Sequence, residues 1–186
     1  ASAFWMEKAG WIKSGQTIRF QTRSGELLVK SDGEWIEMNF PLISTFEKEH
    51  PFFENEFFGA KITHSAKLKG NWIFELEDAA AVENCEPDFT LVKNHSEEGI
   101  IITAPGKNSF DIYSRYFGPN IGIDEDPVTG FAHCALMDFW YKKTKKSKLK
   151  AFQASKRGGE LHLEKREDRV IIRGQAVKVL SGEIEF

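Results

Sequence analysis

Residues 131–141 have the sequence FAHCALMDFWY, in which His133 and Asp138 alone interrupt an apolar run. Because an α-helix has 3.6 residues per turn, the apolar side chains of this run would occupy every face of a helix. A helix that is apolar all round must be buried on all sides, and this one is too short to cross a membrane. We therefore expect a helix that other parts of the chain enclose.

Strand patterns lie on both sides of this helix and provide its cover. Apolar and polar residues alternate between Gln16 and Pro41, which predicts a β-meander. Further strands are expected in GAKITHSAKL (59–68), GNWIFELE (70–77), FTLVKN (89–94), EGIIITAPG (98–106), LKAFQAS (149–155), GELHLEK (159–165), DRVIIRG (168–174) and QAVKVL (175–180), and short helices in ASAFWMEKAG (1–10) and AAAVENC (79–85). The expected fold class is α+β, with a barrel-like antiparallel or mixed sheet wrapped around a central helix.

The chain also contains an internal repeat with an offset of 134 residues. It aligns Ala1–Lys8 with Ala135–Lys142, Gly25–Leu27 with Gly159–Leu161, and Ile36 and Met38 with Val170 and Ile172. We expect two related domains, each with a central helix, separated by the Phe-rich connection from Leu42 to about Glu56. Residues 1–41 would be the remainder of a truncated first domain, because a long stretch precedes the helix of the second half and none precedes that of the first. Residues 42–186 would form the second domain, whose last strand either stays there or returns to the first.

The segment GIDEDPVTGFAH (122–133) joins acidic residues to the start of the apolar helix. Unpaired backbone N–H groups of Gly130, Phe131 and Ala132 would favour an anion at this helix start, and Asp126 beside them can act as an acid or a base. The simpler alternative is that Asp126 or Thr129 only caps the helix. His133 is either a catalytic group or a buried, hydrogen-bonded histidine, and we favour the second interpretation.

Composition excludes several classes of function. The 186 residues carry 25 Lys plus Arg against 28 Asp plus Glu, a net charge of −3, so no overall field attracts nucleic acid. The lysines between Lys142 and Lys150 are interpreted as a solvated helix end, with a phosphate-backbone contact as the alternative. No apolar run is long enough for a membrane span, and the two cysteines are not at metal-ligand spacing. We expect a cytoplasmic protein in which Cys85 and Cys134 are reduced core residues, with a disulfide between them as the alternative.

The motifs resemble the PhzF family of phenazine-biosynthesis-like proteins. The resemblance is carried by DIYSRYFGPNIGIDEDPVTGFAHCAL (111–136), FQASKRGGELHL (152–163), VIIRGQAVKV (170–179) and TRSGELLVKSDGEWIEMNFP (22–41), and it covers essentially the whole chain. Such proteins are similar in fold to diaminopimelate epimerase, with two related domains and an active site in the cleft between them.

The resemblance implies a cofactor-independent isomerase or epimerase that acts by proton transfer on a small carboxylic acid. Asp126 matches the family's cleft aspartate, and the amides of Gly130, Phe131 and Ala132 would face the substrate carboxylate. The loop with Arg157 and Gly158 would lie near the cleft, where it either binds an anionic group or is only a hairpin turn. No metal or coenzyme is implied, and the family's homodimer is expected here.

Two departures from the family pattern stand out. The family normally has Ser where this chain has Phe131, which removes a hydroxyl from the cleft and adds a bulky ring. The family's Glu acid/base and a Gly-His pair would both lie before Ala1, so we expect this chain alone to lack part of the active site. The alternative is a non-catalytic homologue that binds a small acid or pairs with another subunit. Arg115 is expected either to form an ion pair that positions Asp126 or to contact substrate.

Overall fold

The computed structural model describes residues 2–22, 25–31, 33–50 and 59–182. Within them, all strands belong to one mixed sheet: β1 (Thr17–Thr22), β2 (Gly25–Ser31), β3 (Ile36–Pro41), β4 (Phe46–Glu47), β5 (Ile62–Leu68), β6 (Asn71–Leu76), β7 (Gly99–Pro105), β8 (Ile112–Phe117), β9 (Lys148–Gln153), β10 (Gly159–Arg166) and β11 (Arg169–Gly174). The helices are α1 (Ser2–Lys8), α2 (Ala79–Asn84), α3 (Phe89–His95) and α4 (Gly130–Thr144), with a 3-10 turn at Pro119–Ile121. The α+β class is confirmed.

The sheet has the strand order β1-β2-β3-β11-β10-β9-β8-β7-β6-β5-β4. Strands β6 and β7 are parallel, as are β8 and β9, and the other neighbours are antiparallel. The parallel pairs need crossover connections, which α2, α3 and α4 supply. Helices α2 and α3 pack on one face of β6 to β8, and α4 packs on the other.

Helix α4 is enclosed, as its apolar sequence predicts. Its residues from Ala132 to Trp140 are all buried. They share one core with side chains from seven strands, among them Ala66 of β5, Leu149 of β9 and Ile172 of β11. The helix ends where Lys145 adopts a left-handed conformation (φ 62°) and donates its N–H to the Tyr141 carbonyl. This packing holds the N-terminus of α4 in a fixed position. Within the described residues, no helix combines the length and apolar character that a membrane span needs.

Two of the expected strands are wrong. FTLVKN forms helix α3, because Asp88 accepts hydrogen bonds from the N–H groups of Thr90 (2.8 Å) and Leu91 (3.1 Å) and so caps a helix that β propensity alone does not indicate. QAVKVL forms no strand: its apolar Val177 and Val179 are 81% and 91% exposed. Alternation is not sufficient, since a strand also needs a neighbour with which to pair. Part of the Leu42–Glu56 connection lies outside the described residues.

Strands β3 and β11 join the two ends of the chain. Met38 lies opposite Ile172, which is its equivalent at the repeat offset of 134 residues. The two strands are also linked by Arg169, whose Nε donates to the Asn39 side-chain oxygen (2.7 Å) and whose Nη2 donates to the Asn39 carbonyl (2.8 Å). The last strand therefore pairs with the first region while remaining bonded to β10. The division into domains 1–41 and 42–186 stays a prediction.

Candidate active site

The loop between β8 and α4 carries the acidic motif, and three backbone features fix its path. The 3-10 turn follows β8, Gly118 and Ile123 form an isolated antiparallel bridge, and the Asp126 N–H donates to the Tyr116 carbonyl at 3.1 Å. The last bond returns the chain to the end of strand β8 just before α4 begins. Asp126 is consequently half-buried at the N-terminus of an immobilised helix.

Neither side chain expected as a cap satisfies an amide of the first turn. Thr129 is the N-cap residue of α4 by backbone conformation, but its side chain makes no capping bond. Its hydroxyl instead donates to Oδ2 of Asp126 at 2.6 Å. The capping alternative is therefore wrong for the side chains of Asp126 and Thr129. The first helical N–H groups, those of Gly130, Phe131 and Ala132, are available to an anion, which the helix dipole also favours.

The first turn of α4 presents different degrees of exposure along its length. Gly130 is half-buried, Ala132 is 2% exposed, and the ring of Phe131 is 39% exposed. A large apolar ring is therefore open to solvent at the first turn of α4, where the family pattern has a Ser hydroxyl.

His133 is a buried, hydrogen-bonded histidine, as the sequence analysis favoured. Its side chain is 0% exposed, Nδ1 lies 2.7 Å from the Thr129 carbonyl and Nε2 lies 3.4 Å from the Ser114 hydroxyl. The carbonyl can only accept, so Nδ1 carries the hydrogen. Burial lowers the pKa of His133 to about 4, from an ordinary value of 6.5. The neutral imidazole thus supports the start of α4 and does not reach the exposed site.

Arg115 forms an ion pair with Glu125 and not with Asp126. Its Nε and Nη2 donate to the two carboxylate oxygens of Glu125 at 2.7 and 3.1 Å. Its Nη1 donates to the Cys85 carbonyl at 2.6 Å, at the C-terminal end of α2. This bidentate pair fixes the acidic loop against α2. Arg115 thus forms an ion pair, one of the two expected alternatives, and its partner is the residue directly before Asp126.

The loop after β9 lies beside the acidic motif. The Ser155 hydroxyl donates to the Pro127 carbonyl (2.7 Å) and accepts from the Gly158 N–H (3.1 Å), so the Gly158 amide is engaged inside the loop. The side chain of Arg157 is exposed at this position. A cavity of about 300 Å³ is lined by Glu125, Pro127, Ser155, Lys156 and Arg157. The structure therefore brings the Arg157 loop and the Asp126 loop to one place.

Gln153 connects strand β9 to the acidic loop, and the sequence analysis did not single it out. Its side chain is 1% exposed, at the end of β9. Its Oε1 accepts from the Thr129 N–H at 2.7 Å, and its Nε2 donates to the Asp126 carbonyl at 2.6 Å and to the Thr129 hydroxyl at 3.1 Å. A signal was present, because Leu149 and Ala151 are buried on the inner face of the same strand and Gln153 continues their alternation with a polar side chain.

Neither the cysteines nor the lysine run between Lys142 and Lys150 forms a second candidate site in the described residues. In the described part of the chain, no group of three or more His, Cys, Asp or Glu side chains could hold a metal ion. Both cysteines are buried and free. Four of the six lysines between Lys142 and Lys150 are paired with acids, two in the last turn of α4 and two after it: Lys142 with Asp138, Lys143 with Glu75, Lys146 with Asp111 and Lys150 with Glu160. These pairs favour the interpretation of the lysine run as a helix end and not as a nucleic-acid contact.

Comparison with known proteins gives a consistent result. The sequence profile of the PhzC-PhzF family, described as phenazine biosynthesis-like protein, matches residues 1–182. An uncharacterized isomerase of Halalkalibacterium halodurans is 37% identical over 188 residues, which cover 99% of this chain and 70% of the relative. A second uncharacterized isomerase, from Pseudomonas aeruginosa, is 36% identical over 91% of this chain and 64% of its own length. The crystal structure of a phenazine biosynthesis protein of the PhzF family from Enterococcus faecalis matches with a TM-score of 0.82 at 34% identity, over 94% of this chain and 66% of that one. The chain thus spans about two thirds of the length of the relatives that it matches.

Proposed function

This chain belongs to the PhzC-PhzF family of phenazine biosynthesis-like proteins, and on that premise we propose that it carries the aspartate and the anion-binding helix of a cofactor-independent isomerase. The proposed reaction moves a proton on a small carboxylic acid, with isomerisation or epimerisation as the result. The names of the relatives support the reaction class, since both curated proteins described above are called isomerases. The substrate class and the mechanism are our inference from the site.

One observation carries the proposal: the half-buried Asp126 carboxylate lies beside helix amides that no side chain caps. An acid–base group and an anion-binding helix terminus are the two elements that proton transfer on a carboxylic acid needs at the same place. In the described part of the chain no cation pairs with Asp126, so its carboxylate is not neutralised in a structural ion pair.

Each residue then has a defined role in the proposed reaction. The amides of Gly130, Phe131 and Ala132 bind the substrate carboxylate and stabilise negative charge that develops next to it. The exposed Arg157 guanidinium adds attraction for an anionic substrate at the mouth of the site. Asp126 takes up or delivers the proton, and the Thr129 hydroxyl holds its carboxylate in place.

The proposal is tested by solvent exchange. A panel of small 2-hydroxy, 2-amino and unsaturated carboxylic acids is incubated with the protein in D2O, and proton NMR measures deuterium incorporation into each acid. Exchange at a substrate carbon needs only one acid–base group, although complete isomerisation also needs the Glu expected outside this chain. We therefore expect exchange into at least one acid, and a loss of about 100-fold or more in Asp126→Asn, since general acid–base groups contribute roughly that much. Asp124→Asn is the matched control, because Asp124 is exposed in the same loop. Equal rates in the two variants would contradict the role of Asp126.

The second candidate is a homologue that binds a small acid without turning it over. The exposed Phe131 ring at the start of α4 favours it, because the family pattern has a Ser hydroxyl there. It predicts that an acid shifts the amide resonances of Gly130–Ala132 with no deuterium incorporation. The coding DNA upstream of the Ala1 codon distinguishes the two candidates. The isomerase proposal predicts that the open reading frame continues upstream and encodes a Glu and a Gly-His pair, and the binding-protein proposal predicts no such segment.

A further inference from the structure

We propose that Gln153 is a positioning residue that directs the hydroxyl hydrogen of Thr129 onto Oδ2 of Asp126 and thereby leaves Oδ1 as the oxygen that exchanges a proton with substrate. The role in proton transfer rests on the function proposed above for Asp126. The hydrogen-bond direction itself is a property of the chain without substrate. Gln153 belongs to β9, whereas Asp126 and Thr129 belong to the loop before α4, so the contact joins two separate elements.

The orientation of the Gln153 amide is determined by two backbone groups. The Thr129 N–H can only donate, and it lies 2.7 Å from the atom assigned as Oε1. The Asp126 carbonyl can only accept, and it lies 2.6 Å from the atom assigned as Nε2. A flipped amide would place donor against donor and acceptor against acceptor in a side chain that is 1% exposed. Both neighbours therefore require the same orientation.

That orientation in turn determines the direction of the Thr129 hydroxyl. The hydroxyl has one hydrogen and two lone pairs, and Nε2 of Gln153, which cannot accept, lies 3.1 Å from its oxygen. The hydroxyl must accept from Gln153, so its own hydrogen is free to be donated elsewhere. Oδ2 of Asp126 lies 2.6 Å away and receives it. The result is a directed chain from Gln153 through Thr129 to Asp126.

The consequence is a difference between the two oxygens of one carboxylate. Oδ2 accepts a short hydrogen bond from the Thr129 hydroxyl, and the buried Gln153 amide holds that hydroxyl in place. Oδ2 is therefore already engaged before a substrate binds. Within the described residues Oδ1 has no such donor. A proton arriving from substrate would displace a hydrogen bond at Oδ2 and none at Oδ1, which makes Oδ1 the exchanging atom.

The test uses the ligand-free chain labelled with carbon-13 at aspartate side-chain carboxyl carbons. The Asp126 resonance is assigned by its loss in Asp126→Asn. At pH 7 we expect Gln153→Met and Thr129→Val to shift this resonance in the same direction, and Thr129→Ser, which keeps the hydroxyl, to leave it near the wild-type position. In the double variant Gln153→Met/Thr129→Val we expect a shift smaller than the sum of the two single shifts, because the effect of Gln153 on Oδ2 passes through the hydroxyl, while its bond to the Asp126 carbonyl acts separately. Additive shifts, or no shift in Gln153→Met, would overturn the proposal.

A second measurement keeps the test decisive if Gln153→Met does not fold. Nitrogen-15 spectra resolve the two side-chain amide hydrogens of Gln153, and Thr129→Val should move one of them while Thr129→Ser leaves both unchanged. Two unmoved hydrogens would overturn the inference. Because neither readout uses a substrate, a failure here is distinct from a failure of the isomerase proposal, which the deuterium exchange measures separately.

Discussion

His133 shows how a single buried side chain links the stability of this fold to pH. The unfolded imidazole titrates near its ordinary pKa of 6.5, whereas burial lowers the pKa of the folded form to about 4. The unfolded state therefore binds a proton more readily between these values, so the stabilisation is complete above pH 6.5 and is lost as the pH falls toward 4. We expect about 2 kcal/mol less stability at pH 5 than at pH 7, measured by urea unfolding.

The control for this prediction is His133→Gln, which cannot titrate and should show a flatter pH dependence between pH 7 and pH 5. Asp111, Asp138, Glu160 and Glu164 all have a pKa lowered from ordinary values of 3.8 or 4.5. Their contribution is lost only as the pH falls below those ordinary values, so it lies outside this window. An identical pH dependence in the wild type and the variant would contradict the prediction.

At the residue scale the sequence reveals some of the site and not the rest. Asp126, Thr129 and the helix start are contiguous, so local chemistry identifies them as a group. The partners of Arg115 depend on where α2 ends, and the contacts of Gln153 depend on β9 pairing beside the loop, which are long-range facts of the fold. A polar residue on the inner face of a strand is the kind of signal that identifies such a connecting side chain.

At the scale of elements, β10 approaches the acidic loop so closely that a methyl group at its first residue does not fit. A Cβ added at Gly159 would lie 2.3 Å from Cγ2 of Val128. We expect Gly159→Ala to lower the free energy of unfolding by about 1–3 kcal/mol, because valine is branched at Cβ and cannot rotate away freely. Gly174→Ala is the matched control, since nothing lies within 4 Å of its added Cβ.

Urea unfolding of the two glycine variants decides the matter. The Gly174→Ala variant should lie within about 0.5 kcal/mol of the wild type, as is usual for an uncrowded position. Equal stabilities for both variants would show that β10 and the acidic loop do not pack as described. Because Val128 precedes Thr129, a displacement here should also disturb the amides of Thr129 and Gly130 in NMR spectra.

Elements with a long apolar run or a clear strand pattern were predictable, and elements that depend on a partner were not. The enclosed helix α4 follows from its nearly uninterrupted apolar run, and the strands β5, β6, β7, β9, β10 and β11 follow from their strand patterns, whereas β8 was not expected from the sequence. Helix α3 was expected as a strand because its Phe, Thr and Val favour β structure, although the preceding Asp88 is a helix N-cap signal. The segment 175–180 alternates like a strand, yet within the described residues it has no neighbour to complete it.

At the scale of the whole molecule, the sheet ends at β1, which pairs only with β2 in the described part of the chain. Edge strands with open backbone groups attract other strands, and the exposed rings of Trp5 and Trp11 (54% and 67%) add apolar surface that a partner chain can cover. We expect a homodimer, with sedimentation equilibrium at micromolar concentration giving twice the 21.2 kDa of one chain. A mass of one chain at that concentration would contradict this.

The pairing of β3 with β11 has a consequence for the origin of the chain. Met38 faces Ile172, its own equivalent at the repeat offset. On either side of this pair, Ile36 faces Gly174, the equivalent of Phe40, and Phe40 faces Val170, the equivalent of Ile36. Such reciprocal pairing is what a two-fold axis produces when one strand meets a second copy of itself. The arrangement is the one expected if a gene for one half had been duplicated and fused, so that an isologous dimer became a single polypeptide. On that interpretation Met38 and Ile172 are two copies of one position, with different side chains, that meet at the axis.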